Sequence, residues 1–340
     1  MPEASLPILI VIIALAIGFG LVNGFNDAAN AIATVVGTRV LSPRNAIIIA
    51  AIANLAGAMT GLAVAKTIGK GILIPEAISN LTVISALASV IVWGSIATWM
   101  GLPVSITHGF IAGIATAGIA VANTLGMEWY QVVQWDKIAR VGSSVAIAPI
   151  LGFVGGFTLM VLILWGIRKL LPGVIQTIFG RLQWLTAAFM AYSHGKNDGQ
   201  MPIGVITMGL VIYTGNTELW DNVPIWIILL SALSISTGTA VGGWRVIKTL
   251  GMRVTELRPV HGFAAEAAAA SVIELASHFG IPVSTTHCIT SSIMGVGATK
   301  RLSAVRWGVA GNIIGAWVLT FPICGALGYL FARLLQPLFG

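Results

Sequence analysis

Gly24-Phe25-Asn26-Asp27 in one half of the chain and Gly195-Lys196-Asn197-Asp198 in the other are the stretches that decide its reading. Each lies within a run of apolar residues and sets an amide and a carboxylate where a helix would cross lipid. A charge near the bilayer centre costs at least about 2.5 kcal/mol, so such residues mark pathways or binding sites. The same break occurring twice points to a repeated architecture with its function at the breaks.

Composition fits that setting. Hydrophobic residues make up 57% of the chain and charged residues 9%. Apolar runs of about twenty residues, enough to span a bilayer, recur along its length. Forty glycines suit helices that pack closely through small residues. The expected class is an all-α polytopic membrane protein with the lipid bilayer as its partner. The net charge of +7 is scattered over short loops, which reads as topology and not as a nucleic-acid footprint. Cys288 and Cys324 lie in apolar segments and read as small buried hydrophobes. The first apolar stretch follows Glu3 instead of a basic region and runs into Asn26-Asp27, which argues against a cleaved signal peptide. A bacterial or archaeal inner membrane is the expected location.

In chain order, residues 6–36 form a span of about 45 Å, longer than a ~30 Å hydrocarbon core. It is expected to tilt, or to break near Gly20, Gly24 and the polar Asn23, Asn26, Asp27 and Asn30. Spans at 45–65, 81–100, 104–121 and 138–165 follow. The third and fourth are joined at Gly101-Leu102-Pro103 as a tight helical hairpin, either spanning or re-entrant. The second half repeats the order, with spans at 182–213, 225–244, 260–279, 283–298 and 307–330. Its hairpin turns at Gly280-Ile281-Pro282. The organisation expected is a first repeat over 1–169, a short cytoplasmic linker over 170–181 and a second repeat over 182–340.

Matching loops carry opposite charge. The loop after the first Asn-Asp span is basic (Arg39, Arg44), and its counterpart is acidic (Glu218, Asp221). The loop after the first hairpin leans acidic (Glu128, Asp136), and its counterpart is basic (Lys300, Arg301, Arg306). Positive loops stay cytoplasmic, so the halves should cross in opposite senses, with the N-terminus external. Inverted-topology repeats with polar breaks at matching places indicate a secondary transporter, its site at the repeat interface.

The hairpin tips supply the other half of the chemistry. Pro103-Val104-Ser105-Ile106-Thr107-His108 recurs as Pro282-Val283-Ser284-Thr285-Thr286-His287. Proline suits a first helical turn, where its missing N–H is no loss. The residues after it present free backbone N–H groups and the positive end of the helix dipole. With the hydroxyls of Ser105, Thr107, Ser284, Thr285 and Thr286, two such tips would surround a tetrahedral oxyanion with neutral donors.

Asp27 and Asp198 need a different task, because a carboxylate repels an anion unless something mediates. Either they hold a cation such as sodium, with Asn26, Asn197 and unwound carbonyls, or they carry the coupling proton. His108 and His287 either orient the tips or touch substrate. Glu266 and Glu274 have no acidic counterparts in the first half and could stand behind the site as proton-relay groups. Lys196 attracts the anion, pairs with an acid or snorkels to the interface. His194, His261 and His278 read as structural or interfacial, and Trp129, Trp135 and Trp220 as part of an interfacial belt.

At these residues the chain resembles the inorganic phosphate transporter (PiT) family, which has two Gly-x-Asn-Asp signatures and two Pro-x-Ser-x-Thr/Ser-His tips in inverted repeats. The resemblance runs from Gly18 to about Phe321 and rests on residues 24–31 and 193–200. It implies cation-coupled symport of inorganic phosphate by alternating access, with no enzymatic activity and no cofactor beyond the coupling proton or sodium. It assigns Ser105, Thr107, Ser284, Thr285, Thr286, Asn26 and Asn197 to phosphate. Asn30 and Gln200 join Asp27 and Asp198 at the coupling ion. The Gly199-Gln200 ending is similar to bacterial low-affinity members that resemble proton-coupled carriers of phosphate or metal–phosphate. Lys196 departs from the small residue usual at its place. A homodimer is the assembly considered. The rival readings are a sulfate or other oxyanion permease, a passive channel and, more distantly, an intramembrane aspartyl protease using Asp27 and Asp198.

Overall fold

A computed structural model describes residues 5–339, so Glu3 lies outside the described residues. The chain is all-helical. The first half comprises α1 (Leu6–Gly37), α2 (Pro43–Ala58), α3 (Ala63–Lys70), α4 (Asn80–Met100), α5 (Ile106–Val121) and α6 (Trp135–Ile167). The second comprises α7 (Pro172–Asp198), α8 (Gln200–Thr214), α9 (Ile225–Val241), α10 (Trp244–Lys248), α11 (Pro259–His278), α12 (Thr285–Ala298) and α13 (Trp307–Phe339). Among the described residues, five helices are long and apolar enough to cross a membrane, or up to seven if two bent pairs each count as one span. Exposed large apolar side chains such as Trp165, Leu185, Leu275 and Val318 cover the outside, as expected of a surface bathed in lipid.

The breaks fall elsewhere than the sequence suggests. α1 runs unbroken through Gly20, Gly24 and Asp27. Asn26 and Asp27 find partners on other elements, whereas the buried Asn23 side chain makes no hydrogen bond among the described residues. In the second half the helix assignment is interrupted only at Gly199, between α7 and α8, which keeps helical φ and ψ and bonds back to the Gly195 carbonyl. The sharp bends lie in the second span of each half: 74° between α2 and α3, and 62° between α9 and the segment from Trp244 to Arg253. The expected linker over 170–181 is largely helical, because α7 begins at Pro172, a residue suited to a first turn.

Glycines in α1 serve close approach instead of a kink. A Cβ on Gly24 would lie 2.3 Å from the Ile235 carbonyl oxygen of α9. A Cβ on Gly195 would lie 2.2 Å from the Asn54 carbonyl oxygen of α2. The two signature glycines thus let the two Asn-Asp helices cross the second span of the opposite half at backbone contact.

The packing pattern repeats between halves. α1 packs on α9 and α7 on α2; α5 packs on α13 and α12 on α6; α4 packs on α5 and α11 on α12. Each half's tip helix therefore leans on the last helix of the other. The turns before the tips match as well, with left-handed glycines at Gly101 (φ 74°) and Gly280 (φ 66°). Only glycine adopts that conformation without strain.

Candidate substrate and cation site

The four repeated elements converge in the interior. Asn26 and Asn197 secure the tips of their own halves. Asn26 donates from Nδ2 to Thr98 Oγ1 (2.9 Å) and to the Leu102 carbonyl (3.2 Å), and its Oδ1 accepts from Val104 N (3.1 Å). Asn197 Nδ2 donates to the Val283 carbonyl at 2.8 Å, and its Oδ1 accepts from Ser277 Oγ at 3.3 Å. These side chains supply the irregular tip backbone with partners that water cannot provide there.

The neighbouring carboxylates each accept from a tip threonine of the other half, and Asp198 also accepts from Thr285 of its own. Thr286 donates to Asp27 Oδ1 at 2.7 Å. Thr107 donates to Asp198 Oδ1 at 3.2 Å, and Thr285 to Asp198 Oδ2 at 2.8 Å. Asn30 Nδ2 lies within donating distance of Asp27 Oδ1 (2.9 Å), Thr286 Oγ1 (2.9 Å) and Thr285 Oγ1 (3.1 Å). All of these residues are buried. Ser105 and Ser284 act as N-caps, accepting from His108 N (3.3 Å) and His287 N (3.1 Å). Their own hydroxyl hydrogens remain free to donate.

His194 is the residue that sequence reasoning set aside. It is fully buried, and its Nε2 lies 3.1 Å from Asp198 Oδ2 and 3.9 Å from Asp27 Oδ2. One ligand atom from each of Asp27, His194 and Asp198 falls within 4.8 Å of the others, a spacing that could hold a cation. Its place one helical turn before Asp198 was the available signal, since residues four apart share a helix face.

The other residues singled out in the sequence make their contacts away from the carboxylates. Gln200 turns away from the carboxylates. Its Oε1 accepts from Val64 N (2.9 Å) and Ala65 N (3.2 Å) at the start of α3, and its Nε2 donates to the Lys196 carbonyl (2.6 Å). It stabilises the bend of the first half, where orphan N–H groups at a helix start need an acceptor. Lys196 points outward and pairs with Glu274, partly exposed between α7 and α11. Glu266 is fully buried and accepts from Thr34, Thr186 and Gln183, linking α11 to α1 and α7. His108 and His287 face each other at 5.2 Å behind the tips, with His287 stacked on Trp317 at 4.0 Å and His108 on Phe321 at 5.3 Å. Trp317 Nε1 donates to the Pro103 carbonyl at 3.1 Å, so this aromatic group backs the first tip. Trp220, expected at the interface, is buried against Gly69.

A helical membrane protein in which buried carboxylates, an imidazole and hydroxyls from both halves of the chain converge has the makings of a carrier rather than an enzyme. Comparison with known proteins gives its family. Residues 23–328 match the phosphate transporter family, and the chain belongs to it. It is 40% identical to a probable low-affinity inorganic phosphate transporter of Bacillus subtilis, covering 98% of each chain. It is 38% identical to a protein of the same description in Rhizobium meliloti, covering 97% of this chain and 98% of that one. Among solved structures it resembles the sodium-dependent phosphate transporter, with a TM-score of 0.87 and 26% identity over 97% of this chain and 99% of the other.

Proposed function

We propose that the protein is a secondary-active carrier that imports inorganic phosphate together with a cation, by alternating access of two inverted halves. The observation that carries this reading is the engagement of the tip hydroxyls. Thr107, Thr285 and Thr286 each place a hydroxyl within donating distance of Asp27 or Asp198, with Met201 Sδ and the Val104 carbonyl as second acceptors for Thr107 and Thr286. A cation arriving between the carboxylates takes over their lone pairs and frees those hydroxyls to turn toward an oxyanion. Phosphate then meets neutral donors, two helix N-termini and a local positive charge in place of two bare carboxylates. Cation binding thus precedes phosphate binding, and each strengthens the other. That mutual dependence is the condition for coupled transport.

Hydrogen phosphate is favoured over sulfate on chemical grounds. A site with two carboxylates can accept a hydrogen bond from the phosphate P–OH, which sulfate lacks. The reversed loop charges and the swapped packing of α5 on α13 and α12 on α6 support the inverted arrangement in an inner membrane with the N-terminus outside.

The test is uptake of radiolabelled phosphate into proteoliposomes under an imposed proton gradient, an imposed sodium gradient, or neither. One gradient should drive accumulation above equilibrium, and arsenate should compete better than sulfate. Equilibration without accumulation under every gradient would make the protein a passive channel. Stronger competition by sulfate would reassign the substrate.

A further inference from the structure

The two hairpin tips are close copies, Gly101-Leu102-Pro103-Val104-Ser105 and Gly280-Ile281-Pro282-Val283-Ser284, and each is seated on the bent second span of the opposite half. Thr67 of α3 lies within donating distance of the Gly280 carbonyl (2.8 Å), with the Ala63 carbonyl (3.2 Å) as its alternative acceptor. Thr249, directly after α10, stands in the same relation to the Gly101 carbonyl (2.9 Å) and the Arg245 carbonyl (3.0 Å). A Cβ on Gly280 would lie 3.2 Å from Ala63 Cβ, and one on Gly101 would lie 3.0 Å from Arg245 Cβ. The seats are therefore copies too, and both are fixed. α3 is held against α8, where a Cβ on Gly204 would lie 2.5 Å from the Ala65 carbonyl oxygen. The segment after α10 is held against α1, where one on Gly251 would lie 2.2 Å from the Ala33 carbonyl oxygen.

What holds the tips beyond their seats differs. At the first tip Arg245 donates to the Trp99 carbonyl and its guanidinium lies 5.4 Å from that ring's centre. Asn26 donates to the Leu102 carbonyl at 3.2 Å and accepts from Val104 N at 3.1 Å, and Trp317 Nε1 donates to the Pro103 carbonyl at 3.1 Å. At the second tip Ala63 takes the place of Arg245 and has no donor to offer. Asn197 donates to the Val283 carbonyl, but its Oδ1 accepts from Ser277 and leaves Val283 N to others. Among the described residues no side chain donates to the carbonyls of Ile281 or Pro282, the counterparts of Leu102 and Pro103. Ile281 is exposed where Leu102 is half-buried.

We propose that the second tip is the entry gate, parting from α3 at Thr67 while the first tip stays clamped as the floor of the site. The proposal rests on the alternating-access reading above. Its ground is the unequal cost of opening. When Gly280 leaves α3, the Thr67 hydroxyl turns to the Ala63 carbonyl, water meets the Gly280 carbonyl at the half-buried edge, and Asn197 keeps Val283 as the hinge. Lifting the first tip would strand the buried Trp317 N–H and one donor of the buried Asn26 amide. A buried donor without a partner is the costlier outcome. The empty carrier therefore rests with its opening on the α3 side. There Lys66 pairs with Asp221 of the acidic loop at 2.8 Å, whereas Lys248 and Arg253 flank the other seat, so that side is the outer one under the charge rule.

Amide hydrogen exchange on the purified protein without phosphate reads the two tips side by side, and their near-identical sequences match the intrinsic rates. Residues 279–284 should exchange about tenfold faster than residues 100–105. Thr67→Val should speed the second tip further and leave the first unchanged, and Trp317→Phe should speed the first alone. Equal exchange at the two tips, or faster exchange at the first, overturns the proposal. So does a second tip indifferent to Thr67→Val. A cross-link gives an independent reading, since the Ala63 and Gly280 Cβ positions are near disulfide distance. In proteoliposomes the pair Ala63→Cys and Gly280→Cys should lose phosphate uptake on oxidation and recover it on reduction. Recovery is measured against Gly280→Cys alone, which carries the same strain at φ 66°. Undiminished uptake with the bond formed would also overturn the gate. Failure of the carrier reading shows separately, as uptake that survives Asp27→Asn and Asp198→Asn whichever tip exchanges faster.

Discussion

Thr286 of the second hairpin tip donates its hydroxyl hydrogen to Asp27 of the first Asn-Asp signature at 2.7 Å, a bond between the two halves of the molecule. Asp27 keeps Asn30 as its other donor, so removing the threonine hydroxyl weakens the centre without emptying it. A hydrogen bond to a charged group contributes about 1.5–3 kcal/mol, equivalent to roughly 10–150-fold in an equilibrium. Thr286→Val should lower the efficiency of phosphate uptake within that range, and Thr286→Ser should retain most of it. Initial rates in proteoliposomes check both.

Asp27→Asn and Asp198→Asn remove the charge but keep the shape and one acceptor oxygen for the threonine hydroxyls. Each should bring phosphate uptake to background while the purified protein keeps a near wild-type melting temperature in detergent. Full uptake in the double variant would sink the assignment of these carboxylates to the cation.

Gly24→Ala and Gly195→Ala place a methyl group against carbonyl oxygens of α9 and α2, with no side chain free to yield. Each should destabilise the protein by about 1–3 kcal/mol, the usual range for forced overpacking. Gly142 in α6 has nothing within 4 Å of a built Cβ, so Gly142→Ala should be neutral or stabilise by up to about 1 kcal/mol. Thermal unfolding of the three variants side by side separates close approach from helix propensity.

The Lys196–Glu274 pair predicts a non-additive result. Lys196→Met leaves Glu274 without its cation on a partly buried helix face, and Glu274→Gln does the same to Lys196. Either single change should lower stability more than the two together, because the double variant leaves no unpaired charge. Uptake by the double variant should stay above half of wild type, since neither side chain points at Asp27 or Asp198. Equal and additive losses would show that the pair contributes nothing.

The sequence by itself determined that this is a membrane protein whose two halves carry matching motifs. Those properties depend on local composition and spacing: apolar runs, an Asn-Asp pair inside each half, a Pro-Val-Ser-x-Thr-His tip in each half. It also identified the side chains that converge, since Asp27, Asp198, Asn30, Thr107, Thr285 and Thr286 all meet.

Only the tertiary structure decided which residue of one half answers which residue of the other. Asn26 and Asn197 hold their own tips, while Asp27 and Asp198 reach across, a division that two adjacent residues in one motif do not reveal. It decided that α1 stays unbroken through its polar residues. It removed Gln200 from the carboxylates and gave it to the start of α3. It also brought in His194, marked in the sequence only by its place one turn before Asp198, and Asn54, which carries no mark there. The reason is physical: a buried donor or acceptor must find its partner in three dimensions, and the partner of Asn54 is 140 residues away along the chain.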